Sequence, residues 1–166
     1  MVDITPPSLE HAAQIEQLLD HAFGADRQNK ISYRYRDGVP PVADLSWVAA
    51  SDGELLGTIQ FWPARLGTET ALLLGPIALW AGYVGQGVGT CLMNHALADA
   101  KAKGWKHVFL VGDPNYYRRF GFGLASQWGV TMPDEDQARF QGCLLSDHPP
   151  LAGPLLPLGA AYAEAV

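Results

Sequence analysis

The chain has 166 residues, of which 48% are hydrophobic and 17% charged, and its formal net charge at pH 7 is −6. This length accommodates one domain with a sizeable core, and we expect residues 1–166 to form a single domain. The negative charge argues against a general nucleic-acid binder, which needs a basic face, but a small anion can still be bound by backbone N–H groups.

The N-terminus and the cysteines bear on location and metal binding. The first residues, MVDITPPSLE, lack the basic and apolar regions of a secretory signal, and no run reaches the roughly 18 apolar residues needed to cross a membrane. Cys91 and Cys143 show no spacing typical of a zinc site or a disulfide framework. We therefore expect a cytoplasmic protein with no metal, no membrane contact and no nucleic-acid partner.

The first part of the chain alternates between strand and helix patterns. It is predicted to form a strand over residues 2–5, a helix over 9–23, a short helix with a loop over 25–41, and a hairpin over 44–67. Ser8 is expected to cap the first helix, because its hydroxyl can accept a hydrogen bond from a free N–H of the first turn. Asp52-Gly53 is typical of a tight hairpin turn.

The second part continues with buried strands. The pattern predicts a strand over residues 70–80, a glycine loop and a helix ended by Gly104, a strand over 106–112, a short helix within 113–122, and late strands within 127–133 and 139–145. The Pro-rich segment 151–166 is expected to pack along the surface. A strand, loop, helix and strand in this order form a βαβ-like unit.

Three glycines, Gly85, Gly87 and Gly89, precede the helix in the segment YVGQGVGTCLMNHALADAKAKG, residues 83–104. The first N–H groups of a helix have no partner within it and lie at the positive end of its dipole, so they can bind an anion. Glycines leave room for that anion against the backbone. We therefore expect a phosphate or pyrophosphate at residues 85–90.

Three phosphate-binding loops can be compared with this segment. The dinucleotide fingerprint G-x-G-x-x-G fails because Thr90 stands at the third glycine, and the P-loop fails because no lysine follows Gly89. The pyrophosphate loop of coenzyme A-binding proteins reads Gln or Arg, two residues, Gly, one residue, and Gly or Ala. It matches at Gly87 and Gly89 but has Val84 at its first position.

Residues 72–122, LLLGPIALWAGYVGQGVGTCLMNHALADAKAKGWKHVFLVGDPNYYRRFGF, resemble the core of the GNAT superfamily of N-acetyltransferases. The likeness is to small bacterial single-domain members with the motif G-D-P-x-Y-Y-x-R-F-G-F. It implies an α/β (α+β) fold, the GNAT-like acyl-CoA N-acyltransferase fold. Its twisted, mostly antiparallel mixed sheet splays between strands four and five and is flanked by helices. Those strands correspond to residues 70–79 and 107–111.

In this family the splay receives the pantetheine arm of acetyl-CoA, whose polar groups pair with backbone that would otherwise lack partners. The resemblance thus implies acetyl-CoA as the acyl donor. It assigns as coenzyme contacts Ile77, Ala78 and Leu79 at the thioester end, and Gly85, Gln86, Gly87, Val88, Gly89 and Thr90 in the pyrophosphate loop. The Gly75-Pro76 pair predicts an irregularity in strand four, because proline cannot donate to a ladder.

The short helix carries the candidate catalytic residue. Tyr116 shares a helix face with Phe120, so we expect it in the core. Tyr117 points about 100° away and matches the family tyrosine four residues before the Gly-Phe pair, which implies that it protonates the departing thiolate as general acid. Alternatively, Tyr117 only packs over the pantetheine. Asp113, followed by Pro114, is predicted to cap the helix rather than act as a base.

The reaction implied by the resemblance is direct acetyl transfer to a primary amine of a small molecule or protein. Backbone N–H groups near Ile77–Leu79 would stabilise the oxyanion. No acid lies in strand four between Ala71 and Leu79, so two routes for the amine proton stay open: relay through water, or binding of the amine in its neutral form.

The acceptor pocket is expected between the first helical region and the late strands, with an entrance formed by Asp26, Arg27, Tyr33, Arg34, Tyr35 and Arg36. Arg27 and Tyr33 are the candidate substrate-binding residues.

Several positions depart from the family pattern: Val84 replaces Gln or Arg, Trp80-Ala81-Gly82 replaces an acidic turn, and Thr90 replaces Arg. Val84 and the absence of an acidic residue in strand four both support an alternative: a non-catalytic acyl-CoA sensor or partner-binding module. A homodimer is one possible assembly.

Overall fold

A computed structural model of the chain describes residues 2–159. Its strands are β1 (Asp3–Thr5), β2 (Trp47–Ser51), β3 (Glu54–Leu66), β4 (Glu69–Leu79), β5 (His107–Val111), β6 (Gly123–Leu124), β7 (Val130–Thr131), β8 (Phe140–Leu144) and β9 (Gly153–Pro157). Its helices are α1 (His11–Phe23), α2 (Val88–Ala102) and α3 (Pro114–Tyr117). Within residues 2–159, no helix combines the length and apolar character needed to cross a bilayer.

The strands form one mixed sheet in the order β1-β2-β3-β4-β5-β8-β6, with β9 added beside β3 and β7. Along this order the one parallel pair is β4–β5, and the others are antiparallel. The predicted hairpin is confirmed, since Asp52 and Gly53 both have positive φ at its turn. The mostly antiparallel mixed sheet implied by the resemblance is confirmed as well.

Helices α1 and α2 cover opposite faces of the sheet. Neighbouring residues of a strand point to opposite faces, and Leu55 packs with α1 whereas Leu56 packs with α2. The α2 face presents Leu92 and Met93, both fully buried, to the largest core cluster. Helices therefore flank the sheet, as the resemblance implies.

Strand β4 has an irregularity where the sequence predicts one. Phe61 pairs with Leu74 and Ile59 with Ile77, so two steps along β3 correspond to three along β4. The extra residue is a β-bulge at Gly75-Pro76. On its other edge β4 pairs with β5 only through Leu72 and Leu73, and beyond them the two strands separate. The predicted splay is therefore confirmed.

The start of α1 differs from the prediction. The helix begins at His11, Leu9 is 96% exposed, and Ser8 makes no N-terminal cap. Instead, the Ser8 N–H donates to the His11 Nδ1 at 2.9 Å, and the Ser8 hydroxyl lies 3.2 Å from the same nitrogen. The hydroxyl thus contacts the His11 side chain rather than a backbone N–H of the first helical turn.

The expectation that the last segment packs along the surface is wrong for residues 153–157. They form β9, which pairs with β3 through Leu155 and Leu66, and both side chains are fully buried. The Tyr35 hydroxyl donates to the Leu155 carbonyl at 2.6 Å. Prolines at 154 and 157 hide this strand in the sequence, because proline cannot donate to a ladder. Residues 160–166 lie outside the described residues.

Candidate active site

A cleft of about 420 Å³ opens where β4 and β5 separate. Its walls come from both strands, the segment after α1, helix α3 and the loop before β8. The lining residues are Phe23, Asn29, Lys30, Ile31, Ser32, Tyr33, Arg36, Leu73, Leu74, Gly75, Pro76, Ile77, Leu110, Val111, Tyr117, Glu135 and Arg139. The structure thus brings Ile77, Tyr33 and Tyr117 together in one cavity.

One edge of β4 is available at this cleft. Residues 77–79 pair with residues 57–59 of β3 on one side, and on the other side no described strand pairs with them. Because backbone groups of successive strand residues point to alternate edges, part of the N–H and C=O groups of this segment face away from β3. An extended ligand with amide groups finds hydrogen-bond partners there.

The glycine loop forms an open anion cradle before α2. Gly85 and Gly87 both have φ of +84°, and a Cβ on either would meet nothing within 4 Å. Helix α2 has no side-chain cap, and its first backbone bond runs from Cys91 N–H to Gly87 O at 3.0 Å. The N–H groups of residues 88–90 therefore have no acceptor within the helix. This space and these donors fit a pyrophosphate.

The other residues assigned to the loop differ in exposure. Gln86 and Thr90 are exposed, and the Gln86 Nε2 donates to the Gly82 carbonyl at 2.7 Å. Val88 and Gly89 are buried, and a Cβ on Gly89 would lie 3.2 Å from both Leu79 Cδ1 and Tyr116 Oη. Gly89 thus lets α2 approach β4 and α3 closely.

Val84 is 65% exposed, so its side chain takes no part in holding the loop together. The cradle is built from backbone groups and from the space above Gly85 and Gly87. Substitution of valine for Gln or Arg at this position therefore leaves the main anion-binding groups in place.

Tyr117 lies against the main core and also lines the cleft. Helix α3 holds it there: the Asp113 side chain accepts a hydrogen bond from Asn115 N–H at 2.9 Å, and Pro114 occupies the first helical position. The predicted cap at Asp113 is confirmed. Burial, reinforced by the neighbouring Tyr116, raises the pKa of Tyr117 to about 12. Its hydroxyl is therefore protonated at neutral pH.

Tyr116 does not belong to the core, so that prediction is wrong. It does share a face with Phe120, whose ring centroid is 5.7 Å away, but its ring is only half-buried and stacks with the Arg119 guanidinium. Its hydroxyl lies beside Gly89 at the start of α2. Because α3 is a single turn followed by a 3-10 turn, helical spacing alone could not assign the inward face.

Residues 12–122 match the acetyltransferase (GNAT) family model. The chain belongs to the GNAT family. The Escherichia coli (strain K12) protein named uncharacterized N-acetyltransferase YhbS is 34% identical over 119 residues, which are 69% of this chain and 70% of that protein. The recognised family and the predicted acyltransferase class are confirmed.

Two solved structures place this GNAT chain in structural context. The crystal structure of YhbS from Escherichia coli in complex with CoA has a TM-score of 0.79 and 27% identity, covering 93% of this chain and 87% of that one. A GNAT family acetyltransferase from Brucella melitensis in complex with acetyl-CoA has a TM-score of 0.71 and 26% identity, covering 97% of both chains. The GNAT fold is confirmed.

The two candidate substrate-binding residues of this GNAT domain lie in different places. Tyr33 lines the cleft, whereas Arg27 is only 5% exposed and is not among the lining residues. Arg27 donates to the Tyr33 hydroxyl at 2.6 Å, to Asp20 at 3.0 Å, and to Glu16. Burial opposes the positive charge, but these hydrogen bonds outweigh burial and raise the pKa of Arg27 above its ordinary value.

The rest of the predicted entrance divides in the same way. Arg36 lines the cleft, Tyr35 is 2% exposed in a core cluster, and Arg34 reaches out to Asp134 at 2.8 Å. Successive positions at the end of the 3-10 turn Ile31–Tyr35 therefore point to different surroundings. Among residues 2–159, no group of three His, Cys, Asp or Glu side chains that could hold a metal ion is found.

Sequence reasoning missed two functional candidates, Glu135 and Arg139. Both line the cleft and lie in the loop between β7 and β8. Their signal in the sequence is weak: MPDEDQARF is a polar loop between two short strands, and only the fold brings it opposite β4.

Proposed function

We propose that this protein transfers the acetyl group of acetyl-CoA directly to a primary amine. The supporting observation is that the glycine cradle follows β4 in the chain, while residues 73–77 of β4 and Tyr117 line one cleft. A ligand lying along the free edge of β4 from the cradle therefore reaches Tyr117. The solved relatives in complex with CoA and acetyl-CoA support this choice of donor.

Acetyl-CoA supplies a thioester whose carbonyl carbon accepts the amine lone pair and whose sulfur departs as a thiolate. Gly85, Gly87 and the N–H groups of residues 88–90 bind the pyrophosphate in this proposal. The free edge of β4 at Ile77–Leu79 binds the extended arm, and N–H groups of this edge donate to the carbonyl oxygen as negative charge develops on it.

Tyr117 is the proposed general acid. Its pKa of about 12 keeps the hydroxyl protonated at neutral pH, so a proton is available. The burial that raises the pKa of a phenol also raises that of a thiol beside it, which keeps donor and acceptor matched. The proton passes from the Tyr117 oxygen to the sulfur as the C–S bond breaks, and the phenol regains a proton from solvent.

Glu135 is the proposed receiver of the amine proton. It carries the one carboxylate among the described residues that line the cleft. Lys30, Arg36 and Arg139 line the same cleft, and positive charge there favours the neutral form of the amine. The amine proton then passes through water to Glu135 as the new N–C bond forms. Tyr33, held by Arg27, contacts the acceptor.

The experiment is an assay of the full chain with acetyl-CoA and a broad panel of primary amines. Release of free thiol, together with mass-spectrometric detection of the acetylated amine, is the expected result. A reaction without amine sets the background, because the exposed Cys91 also reacts with thiol reagents. Tight binding of acetyl-CoA by calorimetry, with no thiol release for any amine, would instead support the sensor alternative.

A further inference from the structure

The cleft carries positive charge although the protein as a whole is negative, at −6. Lys30, Arg36 and Arg139 line it, against the single carboxylate of Glu135 among its described residues. Within residues 2–159, none of these three cations forms an ion pair with a carboxylate. The described part of the chain therefore leaves this charge without a direct counter-ion.

Arg36 has the most informative surroundings of the three. Its guanidinium carbon lies 3.8 Å from the ring centroid of Tyr33 and 5.3 Å from that of Trp62. Stacking on aromatic rings leaves the in-plane N–H groups for hydrogen bonds. Burial lowers the pKa of Arg36, as expected for a guanidinium partly removed from water.

The buried Nε of Arg36 lacks an acceptor among residues 2–159. A buried donor without an acceptor is costly, whereas a carboxylate can accept two parallel N–H bonds from one guanidinium. A carboxylate entering the cleft would therefore supply the counter-ion that Arg36 lacks among residues 2–159.

Arg36 is close to the proposed reaction centre. A Cβ on Gly75 would lie 3.6 Å from the Arg36 Nη2, and Gly75 precedes Ile77 by two residues. Two residues of a strand span at most about 7 Å. A group bound by Arg36 and an amine beside Ile77 therefore fit within one small molecule.

We propose that the acceptor is a free α-amino acid with an apolar side chain, and that Arg36 binds its carboxylate. This inference rests on the proposed function, because it names the acceptor of that same site. The apolar walls receive the side chain; they include Phe23, Ile31, Leu73, Leu110 and Val111. The α-amino nitrogen forms the N–C bond, its proton passes through water to Glu135, the C–S bond breaks, and Tyr117 protonates the sulfur.

The test compares three matched amines: L-leucine, L-leucinamide, which lacks the carboxylate charge, and 3-methylbutylamine, which lacks the group altogether. Each is assayed for turnover and, separately, for equilibrium binding to the CoA-loaded protein by calorimetry. The aminophosphonate analogue of leucine and a peptide with an N-terminal leucine complete the panel. The variants are Arg36→Gln and Arg36→Lys, with Arg34→Gln as the control, and thermal melting verifies that each variant folds.

We expect kcat/KM for leucine to exceed that for leucinamide by about 10- to 100-fold, the range of one charge-assisted pair. Arg36→Gln should remove most of this preference by raising KM for leucine, with little effect on leucinamide. Arg36→Lys should restore part of it, because the charge returns without the planar fork. Arg34→Gln should retain the full preference.

The outcomes separate this inference from the proposed function. Leucine binding that depends on Arg36, with no thiol release from leucine or from any amine of the broad panel, would support the carboxylate site and overturn the acetyltransfer proposal. Three results would overturn the carboxylate site. One is an equal kcat/KM for leucine, leucinamide and 3-methylbutylamine, and another is a higher kcat/KM for the phosphonate or the peptide than for leucine. The third is an equal loss of kcat/KM for leucine and leucinamide in Arg36→Gln. Absence of both binding and turnover with leucine would overturn it as well.

Discussion

The ring of Tyr117 fills the space that a side chain on residue 112 would need. A Cβ on residue 112 would lie 2.5 Å from Tyr117 Cε2. The backbone of Gly112 is held on both sides, since its N–H donates to the Arg139 carbonyl at 3.0 Å and its carbonyl accepts from Gln141 Nε2 at 3.0 Å. A side chain at residue 112 would therefore move the ring of Tyr117 rather than the backbone of residue 112.

The first prediction concerns Gly112→Ala. The added methyl pushes the Tyr117 ring away from its present position, so kcat should fall at least about 10-fold, while stability falls by about 1–3 kcal/mol. Gly142→Ala is the control, because its Cβ would clash similarly with Phe109 at 2.8 Å but in a core cluster that excludes Tyr117. It should lose stability and keep kcat. Equal kcat losses in the two variants would contradict the prediction.

The second prediction separates the two tyrosines. Tyr117→Phe removes the proposed acid and keeps the ring, so kcat should fall by about 10- to 1,000-fold with little change in coenzyme affinity. Tyr116→Phe removes a hydroxyl beside the start of α2, so any effect should fall on the KM for acetyl-CoA. Steady-state kinetics and calorimetry test both. Full turnover by Tyr117→Phe at saturating substrates would leave that residue only a packing role.

The third prediction tests the anion cradle through matched glycines. Gly87 and Gly104 lie at opposite ends of α2, have φ of +84° and +90°, and each has open space at the Cβ position. Valine at either site is forced into a positive φ, which strains the backbone in both variants. Only Gly87→Val places a side chain where the pyrophosphate is proposed to lie. Calorimetry should therefore show at least about 10-fold weaker acetyl-CoA binding for Gly87→Val alone, and equal affinities would remove the cradle assignment.

The fourth prediction is a pH dependence of stability. The pKa of Tyr117 is about 12 in the folded protein, against 10.0 for a free tyrosine. Between these values the unfolded chain loses the proton first, so the free energy of unfolding decreases as the pH rises, and below pH 10 this group contributes no slope. Tyr117→Phe removes the contribution of this group to the pH dependence. The contributions of the other titrating groups cancel when the wild type and the variant are compared.

Urea unfolding at about pH 8 and pH 11 tests this prediction. Between the two pH values, the free energy of unfolding of the wild type should fall by on the order of 1 kcal/mol more than that of the variant. Identical losses would show that Tyr117 titrates normally.

Local patterns in the chain predicted most of its secondary-structure elements, whereas the mixed sheet and its splay were implied by the resemblance to the GNAT superfamily. The Asp52-Gly53 turn, the bulge at Gly75-Pro76 and the cap at Asp113 each depend on the backbone preferences of a few adjacent residues, so the amino-acid order alone predicted them. The glycine loop before α2 belongs to the same class, because free N–H groups at a helix start follow from helix geometry.

Only the tertiary structure decided which side chains meet. β9 is a strand because β3 and β7 offer it partners, and nothing in GPLLP by itself requires this. Arg27 and Arg36 have the same chemistry nine residues apart. Arg27 donates to Tyr33 and two carboxylates, whereas Arg36 lines the cleft and its Nε has no acceptor among residues 2–159. Long-range packing brings Glu135 and Arg139 into the same cleft as residues of β4. Such contacts depend on where distant segments come together, which local residue preferences do not encode.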